Sequence, residues 1–194
     1  MKYKKALVTG GAGFIGSHLV NKLLSEGLQV VVLDDLSVGE KTNLTQEAVF
    51  IYGDIRDQSV ISYILNNFEI DVVFHQAARV TIRGSTDEFL EDADINLKGT
   101  LTLLNALRSS TVKKLLFASS MAVYSDSSEP VPINEDYSKL PISPYGIAKL
   151  SCEHYCRLIC AICWSWIYKA YPRLYSICQS NPPNISLIII SNSV

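Results

Sequence analysis

The run VTGGAGFIGSHL, from Val8 to Leu19, constrains this chain more than any other stretch. It follows a short apolar run and opens an amphipathic one, so its glycines fall at a turn between a strand and a helix. They read as Gly11-x-Gly13-x-x-Gly16 or as Gly10-x-x-Gly13-x-x-Gly16. In both readings a turn without side chains lets backbone N–H groups approach a pyrophosphate at the helix N-terminus, where the dipole favours negative charge. Gly16 lets the helix lie close against the strand. The next apolar run, LQVVVLDD, reaches Asp34, eighteen residues after Gly16. A carboxylate there accepts hydrogen bonds from both adenosine ribose hydroxyls and repels a 2′-phosphate, which selects NAD over NADP. The plainer reading is a turn without a ligand and an aspartate that only caps the strand; strand, glycines, helix, strand and acid in this order favour the site.

The rest of the first 120 residues repeats that alternation. KALVTG, LQVVVLDD, AVFIYGD, DVVFHQA and KKLLFASS read as five buried parallel strands, with helical stretches near 13–26, 57–68 and 88–109 between them. The last of these begins with Asp87, Glu88, Glu91 and Asp92, which suit the positive end of a helix dipole. Strand, helix, strand in this rhythm predicts an α/β fold, a doubly wound parallel sheet of the Rossmann type. In such a sheet all strand C-termini open on one edge. That edge collects Asp54, a candidate acceptor for the adenine amino group with Ile55 against the ring, and Ala77 and Ala78, small enough to let a cofactor pass. Asp54 has a plainer reading too, as a helix cap for the segment beginning at Asp57.

Residues 125–144 are polar with four prolines and read as a loop across the top of the sheet, with a helix starting near Pro144. On that helix Tyr145 and Lys149 stand four residues apart and share a face. An ammonium beside the phenol stabilises phenolate and lowers its pKa, which makes a base usable at neutral pH, and an oxidised nicotinamide adds to the same shift. Such a pair alone is commonplace. Ser120, at the end of the fifth strand, completes a serine, tyrosine and lysine set suited to alcohol oxidation. His75 lies within a strand and reads as a satisfied core histidine.

Bulk properties exclude other classes. In 194 residues the net charge is −2, with no basic surplus for nucleic acid. The longest apolar run near the end, Leu187–Ile190, is far short of a membrane span, and the N-terminus lacks the apolar core of a secretory signal; a cytoplasmic location is expected. All five cysteines fall after residue 151, and the Cys160-x-x-Cys163 pair has no second pair for a metal, so none is expected. Cys152, Cys156, Cys160 and Cys163 share one helical face as small hydrophobes.

TGGAGFIGSHL, VVLDDLS, GDIRD, HQAA, NLKGTLTLL, FASSMAVY and SPYGIAK together resemble the extended short-chain dehydrogenase/reductase family, most closely its NAD-dependent sugar-nucleotide epimerases of the UDP-glucose 4-epimerase type. The resemblance implies that Gly10, Gly13, Phe14, Ile15 and Gly16 hold the pyrophosphate and that Asp34 and Asp35 take the ribose. Asp54 and Ile55 hold adenine, Gln76, Ala77 and Ala78 line the cofactor, and Asn96 supports the catalytic end. Ser120, Tyr145 and Lys149 fall on the catalytic positions, with Tyr145 and Lys149 also reaching the cofactor. In the implied reaction Tyr145 takes the proton of the 4-hydroxyl of a UDP-hexose while NAD takes the hydride from C4, and the hydride returns to the other face of the turned 4-keto sugar. Related 4,6-dehydratases carry Asp-Glu directly after the catalytic hydroxyl residue; Met121 and Ala122 stand there, which disfavours dehydration. Val80 stands where some 4-epimerases have a lysine that touches NAD. Relatives also pair subunits through the helices matching 88–109 and the one after Tyr145.

The resemblance covers residues 4 to about 158, so residues 1–158 are expected to form the NAD-binding domain and 159–194 an atypical tail. From Ile159 onward there are two charged residues, Lys169 and Arg173, and both tryptophans. The family's sixth strand, its Arg-Tyr-Phe-Asn segment and its substrate domain are not recognisable there. The plainer reading is a divergent, partly buried C-terminal segment; the sharper expectation is a shift of reading frame near Cys160, since Trp164-Ser165-Trp166 read one nucleotide on gives glycine at both ends. The expected function is a truncated, impaired 4-epimerase; a non-catalytic dinucleotide-binding protein and another nucleotide-sugar oxidoreductase are the alternatives.

Overall fold

The computed structural model describes residues 3–80, 88–126, 134–163 and 185–190, and beyond Ile159 only the backbone. Six parallel strands form one sheet in the order β3-β2-β1-β4-β5-β6, where β1 is Lys5–Thr9, β2 Gln29–Asp34, β3 Val49–Tyr52, β4 Val72–His75, β5 Lys114–Ser120 and β6 Ile185–Ile190. The five strands expected from the apolar runs are all present. The sixth lies within residues 159–194 and is not expected from the apolar runs: Ile185–Ile190 pairs in parallel with Leu115–Ser120. Leu187–Ile190 is too short to distinguish strand from buried helix by periodicity, and its pairing with β5 decides it. The helix α5, Pro144–Cys163, likewise runs past the boundary at residue 158. The Trp164–Trp166 stretch and the side chains of Cys160 and Cys163 lie outside the described residues.

Both faces of the sheet are buried, which is why its strands read as continuous apolar runs. Alternate residues serve opposite sides. Leu7, Val31, Leu33, Val73, Leu115 and Phe117 pack with Ile61 and Ile64 of α2 (Gln58–Phe68), Leu103 and Leu104 of α4 (Gly99–Leu107), and Cys152 and Cys156 of α5. Val8, Val30 and Val32 pack with Val20 of α1 (Phe14–Ser25) on the other side. Cys152 and Cys156 are fully buried, in keeping with their reading as small hydrophobes.

The helix starts follow local chemistry. Asp57, not Asp54, caps α2, its carboxylate accepting from Ser59 N at 2.8 Å. Ser143 caps α5, its Oγ accepting from Gly146 N at 3.1 Å, and Pro144 takes the first helical position as expected. The stretch expected as one helix over 88–109 is interrupted: α3 (Phe89–Asp92) passes into a π-helical turn, Ala93–Lys98, before α4. Such turns widen the helix by one residue and concentrate at functional sites. Among the described residues no helix is long and apolar enough to cross a membrane.

Candidate active site

Strand order reverses between β1 and β4, which leave the sheet centre in opposite directions. A crevice opens there at the strand C-termini. It is a cleft of about 1260 Å³ whose wall includes every residue that the family resemblance assigns to cofactor or catalysis except Asn96; Gly11 and His75 do not line it. One end holds the glycine turn and the aspartates of β2 and β3. The other holds Ser120, Tyr145 and Lys149.

At the first end, backbone packs on backbone. Gly10 has φ +69°, and a Cβ on it would sit 2.6 Å from Ala77 N; one on Gly16 would sit 2.1 Å from Gly10 O. Only glycine satisfies both places. Asp34 accepts from Ala12 N at 2.9 Å and from Leu36 N at 2.8 Å, so its carboxylate ties the glycine turn to β2. Each oxygen keeps a further lone pair. Asp35 accepts from Ser37 N and Oγ at 2.9 and 2.6 Å. Phe14 and Ile15 are exposed on the cleft wall.

Asp54 is not free as the strand-end reading has it. Arg56 Nε donates to both its oxygens at 3.0 Å, and the Arg56 guanidinium bridges on to Asp94 Oδ2 at 2.6 Å. That guanidinium holds the Asp54 carboxyl below the usual carboxylate range. Ile55 lies beneath, in contact range of an added Cβ on Gly99. Asn96, on the π-helical turn, stands behind the wall: its amide takes Arg79 N at 2.9 Å and donates to Arg79 O at 3.0 Å and to Asp92 Oδ1 at 2.8 Å. It thereby fixes the backbone that follows Gln76, Ala77 and Ala78.

His75 is fully buried between Thr9 Oγ1, 2.6 Å from Nδ1, and Thr100 Oγ1, 3.0 Å from Nε2. Thr100 spends its hydroxyl proton on Asn96 O and Thr9 Oγ1 accepts from Ala77 N, so the network assigns Nε2 as donor and Nδ1 as acceptor. The imidazole is a satisfied core group, as expected, and burial pushes its pKa down to about 3. Between that value and the unfolded value near 6.5 the unfolded chain binds the extra proton, so stability from His75 is complete above pH 6.5 and is lost as pH falls through about 3. At pH 4 the loss is roughly 3 kcal/mol. Denaturant midpoints of the wild-type chain and His75→Gln at pH 7 and pH 4 check this: the variant should show the shallower fall.

At the second end, Tyr145 is buried and shares the cleft wall with Ser120. Lys149 Nζ donates to Ala118 O at 2.9 Å and lies 5.8 Å from the Tyr145 ring centre. Burial pushes the Tyr145 phenol up, with Ser120 opposing it. This corrects the expectation of a phenol lowered by Lys149. The spacing of four residues puts both on one face, but the ammonium is spent on the β5 carbonyl, and burial lowers Lys149 itself to about 8. Gly146, between them, lets α5 approach the chain after β5 closely: a Cβ there would sit 2.1 Å from Ala122 O.

Sequence reasoning missed Glu153, which stands four residues after Lys149 on the same face and is buried, accepting from Ser119 Oγ at 2.6 Å. Its spacing was the available signal. It also missed Arg56 and Arg79, which belong to the cleft wall and pair with its acids, and Thr9, which supports the wall from behind.

A parallel doubly wound sheet with a glycine turn and an acid at its switch point is a protein of the Rossmann class. The family model of the NAD dependent epimerase/dehydratase family matches residues 6–178, and the chain belongs to that family. A UDP-glucose 4-epimerase of Lactobacillus helveticus is 42% identical over 149 residues, 77% of this chain and 45% of that protein. The structure of the Thermus thermophilus UDP-glucose 4-epimerase in complex with NAD superposes with a TM-score of 0.77 at 40% identity, covering 79% of this chain and 50% of that one. The Thermotoga maritima enzyme with UDP-glucose gives 0.76 at 40% identity, over 80% and 50%. The chain spans about half the length of the curated relatives it matches.

Proposed function

We propose that this chain is the NAD-binding part of a nucleotide-sugar 4-epimerase acting on UDP-glucose and UDP-galactose. The observation that carries the reading is the single cleft that joins the glycine turn and Asp34 to Ser120, Tyr145 and Lys149. The cradle fits NAD: the space a Cβ would fill at Gly10 and Gly16 is closed by backbone, which leaves the turn's N–H groups bare of side chains, and Asp34 keeps lone pairs for ribose hydroxyls. Gly10, Gly13, Phe14, Ile15 and Gly16 would face the pyrophosphate. Asp35, Ile55, Gln76, Ala77 and Ala78 would line the rest, Asp54 through its Arg56-paired carboxylate, and Asn96 from behind. Bound NAD supplies the hydride-transfer chemistry.

The protein's own contribution is proton handling. Ser120 hydrogen-bonds with the sugar 4-hydroxyl and with Tyr145, and Tyr145 takes the hydroxyl proton onto its phenolic oxygen. With its pKa raised by burial the phenol keeps its own proton at neutral pH, so Tyr145 must lose that proton first, and Ser120 together with the positive charge of an oxidised cofactor would favour the phenolate that accepts the hydroxyl proton. Lys149 fixes the helix to Ala118 O and supplies further positive charge.

Incubating the purified chain with NAD and UDP-galactose tests the reading. Tyr145→Phe should keep NAD affinity within about twofold and lower epimerisation by about 100-fold or more. A phenol that burial holds in its protonated form favours one second reading, a dinucleotide-binding protein without turnover. It predicts NAD binding with no UDP-glucose formed; a chain that does not bind NAD overturns both. A cytoplasmic homodimer, joined through 88–109 and α5, belongs to the same proposal, and sedimentation tests the assembly. The composition from Ile159 onward supports the frame shift near Cys160, and the family match running on to residue 178 counts against it. Reading the gene in the +1 frame past that codon decides it: a sequence there that does not continue the epimerase removes the idea.

A further inference from the structure

Glu153 is 1% exposed, yet it is a carboxylate that no part of the proposed chemistry uses. Its partners come from three parts of the chain. Oε1 accepts from Ser119 Oγ at 2.6 Å, at the end of β5; Oε2 accepts from Lys139 Nζ at 3.0 Å, in the segment 134–143; Arg157 Nη2 of α5 lies 3.8 Å away. Lys149 grips the neighbouring residue of the same strand, Ala118, one helical turn earlier. Segment 134–143 in turn supplies Ile142 and Ser143 to the cleft wall, and Ser138 O accepts from Ser125 N at 2.8 Å. The Lys139 ammonium also lies 5.9 Å from the centre of the Tyr124 ring, on the same wall.

We infer that Lys139 and Glu153 are a positioning pair that bolts segment 134–143 to the end of β5, setting the distance between the Ile142–Ser143 rim and Ser120. The inference rests on the reading of this cleft as a nucleotide-sugar site and adds residues that shape its sugar end. A buried ion pair adds little net stability against its desolvation, whereas breaking one leaves a charge without a partner. Its worth is therefore in geometry: with Glu153 held by the core of the molecule, Lys139 has one place to go. Replacing Lys139, the more exposed partner, releases the segment while the sheet and glycine turn stay as they are.

Amide hydrogen exchange on the whole chain tests this. In Lys139→Met the Ser125 amide should exchange at least tenfold faster, while the Gly10 amide, bonded to Leu33 O at 2.8 Å, stays unchanged. Lys139→Arg should restore protection, because the cation can still reach Glu153. UDP-galactose affinity should fall about tenfold in Lys139→Met, with NAD affinity within twofold of wild type. Glu153→Gln should repeat the pattern, and where it does not fold the lysine variants decide. Unchanged Ser125 exchange in Lys139→Met overturns the inference, as does equal acceleration at Gly10, which would make the pair a general stabiliser. A wild-type chain that binds neither ligand sinks the functional reading and leaves the exchange comparison to judge this one.

Discussion

Gly16→Ala is expected to abolish dinucleotide binding and to cost the fold about 3 kcal/mol or more, whereas Gly13→Ala, three residues earlier, should leave the fold almost intact. The difference lies in what the added methyl meets. At Gly16 it would lie 2.1 Å from the carbonyl oxygen of Gly10, a backbone atom of a turn that is itself pinned by Ala77 and by the bond from Gly10 N to Leu33 O. At Gly13 the nearest atom is the same oxygen at 3.4 Å, a distance that a small shift accommodates. The clash at Gly16 has no flexible side chain to absorb it, so either the turn opens or α1 moves off the sheet. Both outcomes spoil the anion cradle. Thermal melts and NAD titrations of the two variants side by side check the prediction. Equal behaviour of the pair would mean that the turn is softer than its packing indicates.

Lys149→Met is expected to make the chain more stable at neutral pH and inactive as a catalyst. Burial lowers the Lys149 pKa from 10.5 to about 8, which corresponds to roughly 3 kcal/mol of cost for holding the charged form at pH 7. Losing the bond to Ala118 O returns about 1 kcal/mol or more of that, so a net gain of about 1–2 kcal/mol is expected. The pH dependence carries the sharper signature. With the folded value near 8 and the unfolded value near 10.5, the unfolded chain binds more protons in that window, so wild-type stability should climb as pH rises from 8 to 10.5. In the methionine variant that climb disappears. Denaturant midpoints at pH 7, 8.5 and 10 measure it; a variant less stable than wild type with the climb intact would show that Lys149 is not the buried cation responsible.

How far the chain could be read from its residues divides along a physical line. β1 to β5 were readable because a strand buried on both faces needs an unbroken apolar run, and Val30 to Leu33 or Leu115 to Phe117 allow little else. The glycine turn was readable because its demands are local to a dozen residues. The π-helical turn over Ala93–Lys98 was not, since one extra residue in a helix leaves apolar spacing almost unchanged. Strand β6 escaped for a different reason: Ile185–Ile190 gains its identity from β5, sixty residues and more away in the chain. At the site, residue types and spacing named the wall, and Asp34, Ser120, Tyr145 and Lys149 all meet it. What spacing could not convey is charge environment. The Asp54 pairing with Arg56 and the upward push on Tyr145 both depend on burial and on partners that only the folded chain brings close.

The contact between Gly146 and Ala122 O has a mechanical meaning. With no side chain interposed, two main chains touch, and α5 cannot slide inward along the strand end or roll about its own axis without collision. The tyrosine beside that glycine is thus carried on a hard stop rather than a cushion. Any adjustment to ligands of different shape must then come from the opposite rim, because the wall that bears the phenol has no travel left to give.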